Sequence, residues 1–272
     1  MISSSRIFLG FFSLGILVAG CVGADSAESQ VASDGDEGTA ASAQSTNLGS
    51  IVFQNVSVAD PTQAAAELTM PSQLWPSGCV TKAQSATNPN VVTITFNDCT
   101  GPFGLVHIDG EETVTLSAGP DGALQASLEG VGLTANGKPI TQSATALITF
   151  PSSTTRSVVW TGSWQRTDDL GELVNHTTSL TISADLTTGC RTATGTAKTM
   201  VAAREVDTTI TNLQICVSST GIEGCPSGSV DFDGVTSGKT LEVQFDGTAE
   251  AEVTGPRGDT FGVPLVCTAT GS

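Results

Sequence analysis

The chain has 272 residues, of which 27 are Asp or Glu and 10 are Lys or Arg, giving a formal net charge of −17. An acidic surface without a basic stripe argues against binding to nucleic acid and against electrostatic docking on anionic lipid. Ser, Thr, Gly, Val and Ala are abundant and Tyr is missing, a composition that favours short strands joined by turns. The length suffices for one large all-β domain or two small ones.

Residues 1–20 predict an export signal. Arg6 follows a short polar start, and the apolar run over 7–17 is too short to span a bilayer. The Val-Ala-Gly-Cys sequence that ends at Cys21 resembles the lipobox of bacterial lipoproteins, in which the cysteine becomes the lipidated N-terminus. An ordinary secretory signal with an incidental cysteine is the alternative. The resemblance implies a membrane anchor at Cys21.

The residue after the cysteine bears on which membrane holds the anchor. Val22 stands where lipoproteins retained in the inner membrane of well-studied enteric bacteria have Asp. The resemblance therefore favours the outer membrane of the cell envelope and leaves open whether the chain faces the periplasm or the cell surface.

Residues 21–50 are predicted to form the lipidated cysteine and a disordered acidic tether. Small and polar residues dominate this segment, its charges are acidic and it has no aromatic residue. Such a composition buries too little apolar area to offset the entropy lost on ordering.

The folded domain is predicted to occupy 51–272. A strand is expected over 51–58, where apolar and polar residues partly alternate. Asp60 and Pro61 then provide an N-cap and an N1 proline for a short helix over 62–70.

From residue 90 onward apolar and polar residues alternate, as in strands with one buried face. The Asn136-Gly137 pair is the preferred sequence for a type I′ hairpin turn. Pro139 cannot donate to a ladder, so its strand should lie at an edge or begin at that residue. Another hairpin tip is expected at 257–259. The predicted strands are 91–96, 113–117, 123–128, 133–135, 138–140, 144–150, 156–166, 173–184, 192–199, 205–217, 229–232, 240–245 and 261–270.

These elements predict an all-β fold with one short N-terminal helix. The strands carry no βαβ alternation, which favours antiparallel pairing between successive strands. We expect the sheets to form a sandwich or a partly closed barrel.

Six of the seven cysteines follow Cys21, and an even number in an exported chain predicts disulfides. If each cysteine pairs with the next one along the chain, each bridge encloses a strand-turn-strand unit. Partner exchange between Cys216 and Cys225 is the main alternative. Close pairs such as CxxC, typical of metal sites, do not occur. The predicted bridges are Cys79–Cys99, Cys190–Cys216 and Cys225–Cys267.

A weak internal similarity suggests two related halves, about 51–150 and 151–272. In each half an apolar strand follows a cysteine, Cys79 in the first and Cys225 in the second. Whether the halves form separate domains is left open.

The spacing of cysteines and strands along the chain, together with the segments 224–230 and 263–267, resembles that in uncharacterised β-rich lipoproteins of myxobacteria and related bacteria. The resemblance covers most of the mature chain. It implies a lipid-anchored envelope protein with a β domain and carries over no catalytic residue.

The residues suited to chemistry are few. His107 and His176 are the two histidines, too few for a zinc site or a triad, and both fit strand positions. Trp160 and Trp164 lie four apart on one strand face, where they would stack sugar rings if exposed or join the core if buried, and we favour the core. No cofactor or metal is predicted.

The sequence thus predicts a structural or binding role without catalysis. A surface module that binds a glycan or another ligand is the alternative. A hydrolase that uses scattered carboxylates is a further alternative, which the acidic composition permits. No motif in the sequence identifies a protein or glycan partner.

Overall fold

The computed structural model describes residues 56–69, 78–100, 107–168, 171–216, 224–265 and 267. Cys21, the predicted tether and residues 51–55 lie outside these ranges, so the predictions made for them are not tested. Residues 56–58, predicted as the end of a strand, are not in one.

Helix α1 (Pro61–Leu68) begins at the predicted N-cap, where the Asp60 carboxylate accepts the backbone N–H of Gln63 at 2.9 Å. The helix buries Ala64, Ala65 and Leu68. In the described ranges no helix has the length and apolar character needed to cross a membrane.

Thirteen strands follow the helix in the described ranges, and each strand but the last pairs antiparallel with the next one along the chain. They are β1 (Val80–Gln84), β2 (Val91–Thr100), β3 (His107–Ala118), β4 (Leu124–Ala135), β5 (Lys138–Thr149), β6 (Thr155–Thr167), β7 (Leu173–Asp185), β8 (Cys190–Val201), β9 (Arg204–Cys216), β10 (Ser227–Gly234), β11 (Lys239–Asp246), β12 (Glu250–Thr254) and β13 (Thr260–Pro264).

The predicted all-β fold is therefore confirmed, with one short helix. The described strands form one sheet rather than the two of a sandwich, and β1 and β13 are its edges. The sequence prediction missed β1.

The turn chemistry sets the register of the β4–β5 hairpin. Asn136 and Gly137 have φ of 51° and 74°, both positive as the predicted type I′ turn requires.

The expectation for Pro139 was wrong, because it is the second residue of an internal strand. It pairs with Thr134, where the β4–β5 register shifts after Glu129, and such irregularities tolerate a residue that cannot donate.

Buried and exposed side chains alternate along the strands, so the sheet has one inner face. A connected apolar core extends from α1 and β2 to β9, and a smaller one covers β9 to β12. In the described chain the only α-helix is eight residues long and contacts β1, β2 and β3. Because that helix cannot cover thirteen strands, we infer that the twisted sheet curls and packs its inner face against itself.

The three predicted disulfides are present. Cys79–Cys99 joins the residue just before β1 to β2, and Cys190 lies directly opposite Cys216 in the β8–β9 ladder. One detail was wrong: Cys225–Cys267 encloses the four strands from β10 to β13, not a single strand-turn-strand unit.

The sheet also bears on the two predicted halves. Strand pairing continues from β5 to β6 across residue 150, and the larger core includes Ile148 and Val158 on either side of it. The internal similarity of the halves stays a prediction.

Candidate functional site

A row of side chains with polar atoms crosses the inner face from β1 to β8. We call it the polar row. The cross-strand register aligns its members from β1 to β4 and from β5 to β8, with Ile94 on β2 and Gly130 on β4 at the positions without a polar side chain. The two stretches meet at Gly130, where a Cβ would lie 3.4 Å from the Cβ of Gln142. The members are Lys82, Glu112, Gln142, Trp164, His176 and Thr199.

The alternation of the strands turns these side chains inward. Lys82 pairs with Ile94 and Ile94 pairs with Glu112, and directly opposed residues share a sheet face. Ile94 and Glu112 are both 0% exposed. Lys82 is half-buried, because β1 is an edge strand.

Glu112 and Gln142 are linked across an intervening strand. Gln142 Nε2 on β5 donates to Glu112 Oε1 on β3 at 3.1 Å. Gly130 on β4 lies opposite Glu112 and has no side chain to stand between them. A Cβ at Gly130 would lie 2.5 Å from Leu133 Cδ1, so the position also accommodates the apolar residue packed over it.

Burial shifts the two ionisable groups at the start of the polar row in opposite directions. It raises the pKa of Glu112 from 4.5 to about 8 and lowers the pKa of Lys82 from 10.5 to about 8. Glu112 Oε2 and Lys82 Nζ are both enclosed, and neither has a hydrogen-bond partner in the described structure. The two groups do not pair with each other.

His176 continues the polar row on β7. Its Nδ1 lies 3.0 Å from Thr199 Oγ1, and its ring centroid is 5.7 Å from that of Trp164. Burial lowers the pKa of His176 from 6.5 to about 4, so the imidazole is neutral at physiological pH. Its Nε2 is buried with no partner among the described residues.

Two threonines add buried hydroxyls in the adjacent row. Thr178 on β7 and Thr208 on β9 both lie opposite Ala197 on β8. They are 3% and 2% exposed, and neither hydroxyl finds a hydrogen-bond partner in the described part of the chain. Some buried polar atoms on the inner face therefore have no hydrogen-bond partner within the described structure. This is unusual, because buried polar groups are nearly always paired.

The predicted tryptophan pair lies on this same face. Trp160 and Trp164 are 2% and 4% exposed. The core interpretation is confirmed, and an exposed stacking platform for sugar rings is wrong. Arg166, two residues beyond Trp164, places its guanidinium carbon 5.6 Å from that ring centroid.

The histidines occupy different environments. His107 is an exposed residue at the start of β3, with its Nδ1 2.5 Å from the Asp98 carboxylate. His176 faces inward, as described above. Among the described residues no group of three or more His, Cys, Asp and Glu side chains is arranged to hold a metal ion.

Sequence reasoning missed Lys82, Glu112 and Gln142. The position of Glu112 could have been predicted from the sequence. It precedes the apolar Val114 and Leu116 at the two-residue spacing of a strand, which places it on the same buried face. The position of Lys82 could not, because the strand that carries it was not predicted.

Comparison with protein families, with curated proteins and with solved structures finds no match to this chain.

Proposed function

We propose that the chain is a bacterial cell-envelope lipoprotein, anchored in the outer membrane through a lipid on Cys21, with a domain that binds a ligand rather than catalyses a reaction. The anchor rests on the lipobox resemblance at the end of the export signal. The binding role rests on the inner face of the sheet.

The observation that carries the proposal is the pairing of the cysteines. The chain has seven cysteines, and six of them form three bridges in the structure. Disulfides persist in exported proteins and are rare in the reducing cytosol. The one cysteine left outside these bridges is Cys21, the residue that lipoprotein maturation would modify.

A lipid supplies an attachment that the domain does not. With a net charge of −17, the protein is repelled by anionic headgroups. Burial of acyl chains contributes about 0.8 kcal/mol per CH₂ group, and two chains give stable anchoring.

The binding role is supported by the buried polar atoms that lack partners. Glu112 Oε2, His176 Nε2 and the Thr178 hydroxyl have no partner within the described chain. Burying such groups unsatisfied costs roughly 1–3 kcal/mol each. A bound ligand that supplies the complementary atoms offsets that cost.

The anchor is tested by replacing Cys21 with Ser in the full-length protein and following membrane fractionation and detergent phase partition. We expect the C21S protein to leave the membrane fraction while its disulfides and far-UV circular dichroism stay unchanged. Ser26→Ala, a small change beyond the lipobox, is the matched control and should stay with the membrane. If C21S still fractionates with membranes like the control, the lipoprotein assignment fails.

A further inference from the structure

We propose that Lys82 and Glu112 form a site for a small zwitterionic ligand, whose ammonium group binds the Glu112 carboxyl and whose carboxylate or phosphate binds the Lys82 amine. This inference rests on the binding role proposed above and names its ligand class. It does not depend on the lipid anchor.

The strand register fixes the geometry of this site. Lys82 on β1 and Glu112 on β3 lie in one row, separated by Ile94 on β2. Two strand spacings put their backbones about 9–10 Å apart. Ile94, which is 0% exposed, therefore lies between two inward-facing groups of opposite charge type.

The unpartnered atoms identify what the ligand must supply. Lys82 Nζ offers donors and Glu112 Oε2 offers an acceptor once the carboxyl is ionised, and within the described structure neither atom is satisfied. Gln142 holds the other carboxylate oxygen, Oε1, from the opposite side. Glu112 is thus fixed with its free oxygen available, and Lys82 is the nearest inward-facing cation along the polar row.

Charge balance favours a zwitterion over a simple ion. A lone cation would satisfy Glu112 and leave the Lys82 amine unpaired, and a lone anion would do the reverse. A ligand with both groups pairs with the Lys82 ammonium and with the carboxylate that Glu112 forms on ionising, and it adds no net charge to a low-dielectric site, where an unpaired ion is costly. Lys82 lies on an edge strand and is half-buried, so of the two residues it is the one closer to solvent.

The test is isothermal titration calorimetry of the full-length protein, purified in detergent, with three zwitterions of increasing charge separation: β-alanine, γ-aminobutyrate and O-phosphoethanolamine. The first two represent amino acids and the third represents a lipid headgroup, so their relative affinities separate the two sources. Butyrate and butylamine, which carry one charge each, are the ligand controls. We expect saturable binding of at least one zwitterion and much weaker binding of both controls.

Variants assign the binding to the two residues. Lys82→Met and Glu112→Gln should each weaken binding of the best zwitterion by about tenfold to a hundredfold, the range for hydrogen bonds to charged groups. Lys82→Arg, which keeps the charge, should retain most of the affinity and so separates loss of the ligand contact from loss of the fold. Lys138→Met and Glu129→Gln, at other positions of neighbouring strands, are the matched controls.

Three results would overturn the proposal: no saturable binding of any zwitterion, equal binding of the singly charged compounds, or affinity that survives both Lys82→Met and Glu112→Gln. The first would mean that Lys82 and Glu112 do not form a site for such a ligand. Because the C21S protein keeps this domain, the titration gives the same answer whether or not the chain is lipidated.

Discussion

Replacing Glu112 with Gln should stabilise the protein, and the gain should grow with pH. Glutamine has the shape of a protonated glutamate and can still accept the hydrogen bond that Gln142 donates at 3.1 Å. The substitution therefore removes the ionisation of a fully buried carboxyl and little else.

The magnitude follows from the shift of the pKa. Folding raises the pKa of Glu112 from 4.5 to about 8, so between these values the folded chain holds a proton that the unfolded chain has released. The free energy of unfolding of the wild type then falls by about 1.4 kcal/mol for each pH unit across that window. Relative to the wild type, E112Q should gain about 3–5 kcal/mol by pH 8 and almost nothing at pH 4.5.

The assay is urea unfolding with the disulfides intact, at several values between pH 4.5 and 8. The quantity of interest is the difference in unfolding free energy between E112Q and the wild type, because contributions from other titrating groups cancel in it. Glu129→Gln, an exposed position on β4, is the matched control and should give a difference near zero throughout. A difference for E112Q that does not change with pH would refute the buried, unpaired state of Glu112.

Three further results are expected. His176 has its pKa lowered from 6.5 to about 4, so its contribution to stability is present above pH 6.5 and is lost as the pH falls towards 4; a His176→Asn variant should lack this change in urea unfolding. Thr178→Val and Thr208→Val should each raise the unfolding free energy by about 1 kcal/mol, because they remove unpaired buried hydroxyls. Thr209→Val, at an exposed position, should leave the unfolding free energy unchanged. Peptide mapping of the non-reduced protein should return the three bridges, whose cysteines are separated by 20, 26 and 42 positions in the sequence. It should find Cys21 modified and no free thiol. Reduction should lower the thermal midpoint, since each bridge contributes roughly 3–4 kcal/mol, and any other pairing would contradict the fold.

Much of the fold was predictable from local pattern. Alternation of apolar and polar residues located the long strands, and Asn136-Gly137 identified a hairpin that the structure contains. Strand β1 escaped notice because Val80–Gln84 is only five residues long and mostly polar. In such a strand, pairing with β2 rather than its own periodicity decides the structure.

The arrangement of the sheet was harder to predict. Alternation shows that each strand has a buried face but not what covers it, so one curled sheet and a two-sheet sandwich give the same sequence pattern. The polar row is also a property of register. Lys82 and Glu112 come from separate hairpins, and their alignment depends on where each turn and irregularity falls.

The most direct test of the proposed function is mass spectrometry of the N-terminal peptide of the mature protein, isolated from membranes. The lipoprotein assignment predicts a chain that begins at Cys21, with a diacylglyceryl group on its sulfur. A mature chain that begins at another residue, or that carries Cys21 as an unmodified thiol, would contradict it.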